Sequence, residues 1–474
     1  MQLGFFYNKG RLFQYLATLA GAFSIISSGI NLGWTSPYLP KLTSNSSHIP
    51  TTNDEGSWCA VAPLLGAPPG AIIAAILADK IGRKFTTLLM APVVFFSCIG
   101  IAFAESIWVI TGLRFIIGAA EGALYTALPM YVGEISDPSI RGFLTSTIAL
   151  AGISGTLMIN IVGSMTDIFT SSLICSFVPL IHFTAFICMP ESPYYYIKKH
   201  NYRDAKTSLQ VLRGTNNIDE EMEALCKAVS RQENSKKASF LDLFTESSNR
   251  KACYIFVIIC MTNKFSGKNP CLFYTETIFQ EAGTTIDPSI SVIIYSTVEL
   301  LAVGATTFFI VDRFGKRWLL ITSTLGCSIA VFSLAMHFYL KEIIHGFAET
   351  FFWLPITALV CYNILFSIGL AFGPVTMLSE LFPTTVKAKA LCLADTFSVL
   401  MGTLCSKFFQ FTINQFGNMY VPFFCFSVCT MTGLIFIIKF VPETKGKTLE
   451  EIQYMLIGQS DTSKRTDNNE IEMQ

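Results

Sequence analysis

Long apolar runs alternate with short polar ones along most of the chain. Runs near the roughly 20 residues that a bilayer demands of a helix fall at about 12–34, 57–78, 85–103, 107–131, 142–165 and 171–189. After a polar interval they resume at about 252–280, 290–310, 318–340, 350–379, 388–415 and 420–441. The pattern predicts an all-α membrane protein with twelve transmembrane helices in two six-helix bundles. The fifth and eleventh runs are the least clean, because they carry Asn160, Asp395 and Lys407. The first run is too long for the apolar region of a signal peptide and lacks a convincing cleavage site, so it reads as the first membrane helix.

The implied domains are an N-terminal bundle at 1–189, a cytoplasmic linker at 190–251, a C-terminal bundle at 252–441 and a cytoplasmic tail at 442–474. The linker is rich in Lys, Glu, Asn and Ser, with amphipathic pieces from Ala205 to Leu212 and from Glu220 to Val229 that predict short surface helices. The tail from Ser460 to Gln474 is polar and reads as disordered.

One short stretch occurs twice. Asp79-Lys80-Ile81-Gly82-Arg83-Lys84 follows the second run, and Asp312-Arg313-Phe314-Gly315-Lys316-Arg317 follows the eighth. Each joins two apolar runs with an acid, a glycine that permits a tight turn and a basic cluster, which belongs in water or among headgroups. Glu134 with Arg141 is matched by Glu380 with Lys387, and Pro190-Glu191-Ser192-Pro193 by Pro442-Glu443-Thr444-Lys445. The pairs stand 233, 246 and 252 residues apart in the same order, the signature of two tandem halves running in the same direction.

Charge then orients the chain. Only 14% of residues are charged, against about 25% in a soluble domain, and the formal net charge of zero gives no reason to expect a nucleic-acid partner. Of the 33 basic residues only Lys41 and Lys341 fall in loops assigned outside, whereas Arg114, Lys264, Lys268 and Lys407 fall within apolar runs. The bias of the remainder puts both termini in the cytoplasm. Asn45-Ser46-Ser47 in the first outer loop is a glycosylation acceptor pattern, consistent with that orientation. Fourteen cysteines are scattered through apolar runs without ligand spacing and read as small hydrophobes, so neither metal nor cofactor is expected.

Together these motifs, with Arg114-Phe115-Ile116-Ile117-Gly118 in the fourth run and Pro442-Glu443-Thr444-Lys445-Gly446-Lys447-Thr448-Leu449 after the twelfth, resemble the sugar porter family of the major facilitator superfamily (MFS). Gly33-Trp34-Thr35-Ser36-Pro37 and Phe273-Tyr274-Thr275-Glu276-Thr277-Ile278-Phe279 resemble the insect facilitated trehalose transporter-like group within it. The resemblance implies the MFS fold and alternating access, in which two bundles rock about a midplane site. It also implies a cytoplasmic charge network: Asp79, Arg83, Lys84, Glu134, Arg141 and Glu191 in one half, and Asp312, Arg313, Lys316, Arg317, Glu380, Lys387 and Glu443 in the other. These match positions that pair when the inner gate is shut; the alternative is that they only orient loops. Arg114 reads as a helix-packing or gate residue.

A sugar site needs neutral donors and acceptors and an aromatic wall. Asn31 stands where proton-coupled members of the family carry an aspartate, and it cannot titrate, which favours facilitated movement. Ala149 stands at a pocket glutamine, Leu300 at an asparagine and Val375 at a tryptophan. The family pattern in the seventh run becomes Asn263-Lys264-Phe265-Ser266-Gly267-Lys268-Asn269. The candidate substrate-binding residues are Asn31, Asn263, Lys264, Asn269, Glu299 and Pro374. Lys264 and Lys268, four apart, are expected on one helix face. Lys264 either faces the cavity, paired with Glu299 or with an anionic substrate group, or snorkels to an interface.

The expected activity is facilitative transport of a sugar, trehalose or a hexose, across the plasma membrane. The alternatives are a polyol or small organic anion as cargo, or a non-transporting sugar sensor. No nucleophile, base and orienter converge as they would in an enzyme. The expected partners are a small-molecule substrate and the lipid bilayer.

Overall fold

The computed structural model describes residues 2–44, 47–234, 242–310 and 313–445, with 447, 451, 452 and 455. Asn45, Asp312 and the expected disordered tail lie outside the described residues. Among those described there is no β-strand. The helices begin α1 (Gln2–Gly33), α2 (Thr35–Thr43), α3 (Asn53–Lys80), α4 (Arg83–Ala102), α5 (Ile107–Ile135), α6 (Arg141–Met165) and α7 (Ile168–Phe186). Four short ones follow: α8 (Pro193–Lys198), α9 (Tyr202–Arg213), α10 (Asp219–Asn234) and α11 (Asp242–Thr245). The rest are α12 (Ser247–Phe265), α13 (Lys268–Phe273), α14 (Thr275–Ala282), α15 (Pro288–Ala305), α16 (Lys316–Ile343), α17 (Phe347–Thr350), α18 (Leu354–Ile368), α19 (Gly373–Leu381), α20 (Thr384–Phe416) and α21 (Tyr420–Phe440). A π-helical turn, Thr306–Ile310, extends α15.

Eleven helical segments among the described residues are long and apolar enough to cross a membrane. The remaining predicted span, 252–280, is the interrupted series α12–α13–α14. Gly267 has φ of +91° there, a left-handed conformation that a glycine takes at little cost, and the helix breaks on either side of it. Lys264 and Lys268 are therefore on different helices, which corrects the expectation of a shared face. The first and tenth spans are also interrupted, at Trp34 and between Ile368 and Gly373.

The chain forms two compact units: Met1–Ser235 with Pro270–Leu300, and Lys236–Asn269 with Leu301–Gln474. In the first, α3 lies along α5 and α1 along α6. Small residues allow this. A Cβ on Gly70 would sit 1.8 Å from the Ala119 carbonyl oxygen, and one on Gly122 would sit 1.9 Å from that of Ala67. Gly29 and Gly155 bring α1 equally close to α6, where a Cβ on Gly29 would meet Gly152 O at 1.9 Å. In lipid, where apolar surface gains little by association, such backbone approach supplies the packing energy. In the second unit α16 packs on α18 and α21, and α12 on α19, α20 and α21.

The two amphipathic linker pieces are α9 and α10, as the periodicity predicts. They are not a free tether. Gln14 on α1 donates to Leu212 O at 3.0 Å and accepts from Asp137 N at 2.8 Å. Arg213 makes bidentate bonds to Glu221 and donates to Ile135 O at 2.8 Å. Ile197, Ala205 and Val229 form a small core of their own.

Candidate functional site

The repeated motif builds the same clamp in each unit. In the first, Gly82 (φ +103°) ends the turn after α3, and the N-terminal N–H groups of α4 would be left without partners. Glu191 supplies them: its Oε1 accepts from Arg83 N at 3.1 Å and Lys84 N at 3.0 Å. It also accepts from Ser192 N at 2.8 Å. A carboxylate at a helix N-terminus is favoured by the helix dipole as well, and a side chain on Gly82 would strike it. Glu191 lies outside the spans, and burial pushes its carboxyl above the usual range despite those donors.

Arg83, only 2% exposed, meets Glu134 at 3.0 Å, Asp79 at 3.6 Å and the Ala78 carbonyl at 3.1 Å. Tyr194 and Tyr195 from α8 lie over its guanidinium. Ser192 donates to Glu134, and Lys198 pairs with Asp79 at 2.9 Å. Arg141 donates to the Ser136 carbonyl at 3.4 Å.

The second unit repeats the plan. Glu443 accepts from the N–H groups of Lys316 at 3.1 Å, Thr444 at 3.1 Å and Lys445 at 3.2 Å. Gly315 leaves room for its carboxylate, and Lys316 is ion-paired with Glu380. Lys445 Nζ donates to Arg313 O at 2.6 Å, and Arg317 to Ile438 O at 2.6 Å. Lys387 lies half-buried near the start of α20. Each described clamp is thus closed within its own unit, Arg83 with Glu134 and Lys316 with Glu380.

Amides and hydroxyls gather at the helix breaks. Where α18 ends, the Leu370 carbonyl accepts from Asn263 Nδ2 at 2.6 Å and the Leu370 N–H donates to Ser323 Oγ at 3.0 Å. Broken helices are tolerated at membrane depth when side chains satisfy the freed backbone in this way. Ser266 Oγ lies 2.9 Å from Tyr362 OH, and Lys268 donates to Asn363 Oδ1 at 3.1 Å with its ammonium over the Phe366 ring. Asn269 and the stem of Lys264 both face Gly402 on α20. The charge facing Lys264 is Asp395, with Cys260 and Cys405 beside it. Pro374 occupies the first turn of α19.

In the first unit Asn31, on the last turn of α1, donates to Glu121 Oε1 on α5 at 2.9 Å. The buried Arg114 donates to the Asn31 carbonyl at 3.0 Å and lies 4.7 Å from the centre of the Trp34 ring. Asn160 donates to Ser296 on α15 at 2.7 Å, and Glu299 is buried on that same helix. Sequence reasoning missed Glu121. The available signal was an acid two turns after Arg114 in an otherwise apolar run.

A family model described as "Sugar (and other) transporter" matches residues 17–456. The "Facilitated trehalose transporter Tret1" of Bombyx mori is 32% identical over 450 residues, covering 94% of this chain and 88% of that protein. Its counterpart in Apis mellifera ligustica is 31% identical over the same shares. Among solved structures, the inward open conformation of the xylose transporter XylE from E. coli matches with a TM-score of 0.76 at 21% identity, over 93% of this chain and 99% of that one. The fold is the twelve-helix MFS fold.

Proposed function

This chain belongs to the sugar (and other) transporter family, and on that premise we propose that it carries a sugar down its concentration gradient by alternating access. Members of the family move solutes rather than transform them, and the chain is a multi-pass membrane transporter, not an enzyme. Trehalose or a hexose is the proposed cargo, and the plasma membrane, with both termini cytoplasmic, the proposed setting. The observation that carries the reading is likeness to facilitated trehalose transporters across 94% of the chain.

Local chemistry supports it. Broken helices bear amides, hydroxyls and rings at membrane depth, as a neutral polyhydroxylated ligand requires. We propose Asn31, Asn263, Asn269, Glu299 and Pro374 as site residues. Asn263 keeps its carbonyl oxygen for substrate while its N–H₂ is held by Leu370 O. The two clamps act as hubs that keep helix ends together within each unit.

A second reading changes only the cargo, to a polyol or small organic anion, and Lys264 favours it. Among the described residues no carboxylate lies within ion-pair distance of its ammonium, although Asp395 is near enough to influence it. Counterflow of labelled trehalose and glucose in proteoliposomes, with polyols and small anions as competitors, separates the readings. Saturable exchange of a sugar without accumulation is expected; inhibition by anions alone would transfer the assignment to the second cargo.

A further inference from the structure

We propose that Glu121 is a proton-binding site of the first unit, tied through Asn31 to the break between α1 and α2. Glu121 is 4% exposed and lies in the middle of the α5 span. Its described bonding partner is the neutral amide of Asn31. A glutamine would accept that same bond without the cost of carrying a charge at membrane depth, several kcal/mol unless compensated. The carboxyl is therefore a feature with a cost, and proton exchange is the chemistry that only it supplies here.

The nearest cation does not compensate it by contact. Arg114 donates to the Asn31 backbone and rests on Trp34, while its Nε and Nη1 have no hydrogen-bond partner among the described residues. No ion pair joins Arg114 to Glu121 within the described residues. The titratable and charged groups facing Glu121 are Arg114 and Tyr125 from its own helix and Cys98 from α4. From α1 it meets Asn31 among the described residues, and Cys59 of α3 faces Arg114 instead.

Geometry links the proton to motion. Both bonds from α5, Glu121's and Arg114's, end on Asn31, three residues before the discontinuity at Trp34. Bending α1 at that point alters both bonds together, so the proton's affinity and the helix angle are one equilibrium. A small, mostly apolar cavity bordered by Asn31, Ser27 and Ser171 together with Ile30, Val94 and Ile117 has about 30 Å³ of free volume. One water needs about 10–15 Å³ by that measure, so the cavity has room for water beside Asn31, the partner of Glu121. The step moves one proton from hydronium to a carboxylate oxygen of Glu121: an O–H bond forms on the carboxyl as one breaks in hydronium, which leaves as water.

The test uses the purified full-length chain in lipid nanodiscs. Infrared difference spectra across a pH series are expected to show a protonated-carboxyl band that Glu121→Gln lacks; the band persisting unchanged in that variant overturns the proposal. Asn31→Ala removes the amide donor and is expected to move the band's midpoint to higher pH. If Glu121→Gln does not fold, that shift decides, and an unmoved midpoint overturns the proposal. Counterflow at equal pH on both sides is expected to vary with pH in the natural chain and to be flat in Glu121→Gln; the same pH profile in both overturns the coupling. The infrared result stands apart from the cargo, so a chain that moves no sugar would end the transport reading while leaving this one to be judged by its own band.

Discussion

Arg83 on α4 and Glu134 at the end of α5 meet at 3.0 Å, and their counterparts 233 and 246 residues later, Lys316 and Glu380, form the matching ion pair. Arg83 is almost wholly buried, so its charge depends on that partner, on the longer contact to Asp79 and on the Ala78 carbonyl. Removing Glu134 leaves the guanidinium to the half-exposed Asp79 at 3.6 Å. Glu134→Ala is expected to destabilise the first unit by about 3 kcal/mol or more, read as a lowered midpoint of thermal unfolding in detergent. Glu134→Gln should lie between the two, since it keeps one acceptor.

Lys316 and Glu380 are both partly exposed, so solvent screens their attraction and their role shows in kinetics more than in stability. Glu380→Lys is expected to slow sugar exchange severalfold, and the double exchange Lys316→Glu with Glu380→Lys to restore part of it. A single variant with unchanged exchange rates would remove this pair from the working cycle.

Backbone contact between α3 and α5 is predicted to tolerate no side chain. Gly122→Ala must push Ala67 of α3 away, at a cost of about 1–3 kcal/mol for overpacking. Gly133 on the same helix has nothing within 4 Å of its would-be Cβ. Gly133→Ala is therefore expected to be neutral or to raise the unfolding midpoint slightly, by up to about 1 kcal/mol from helix propensity. Thermal melts of the two variants side by side check both.

Asn263 and Lys264 are neighbours with different work. Asn263→Leu leaves the Leu370 carbonyl without its donor at the break after α18, and about 1–3 kcal/mol of stability should be lost. Lys264→Gln is expected to leave the melting temperature in place and to change which solutes compete in counterflow. A competition profile unaltered by Lys264→Gln would return that lysine to a snorkelling role.

The spans, their number and the tandem halves were legible because each depends on local properties. About twenty consecutive apolar residues predict a crossing whatever surrounds them, and a charged, glycine-containing turn predicts a surface. The family resemblance pointed to Arg83, Glu134, Lys316 and Glu380 as members of one charge network. What it left open was that the described clamps close inside each unit, and that the linker helix α8 takes part in the first. The breaks were legible only in part. In the seventh span, spacing placed Lys264 and Lys268 on one face, an inference that fails once Gly267 takes a positive φ.

By itself the sequence determined the fold class, the tandem repeat and the family, because hydrophobic length and motif order survive without knowing which helix touches which. Tertiary structure alone decided the partners of the isolated polar groups inside the spans. Asn31 and Glu121 are 90 residues apart, and Asn263 and Leu370 are 107 apart. Their meeting depends on the rotation and spacing of helices, which glycines set through backbone approach, Gly29 and Gly122 in the first unit and Gly369 in the second. A lone amide or carboxyl in an apolar run shows that a partner must exist; packing chooses which one.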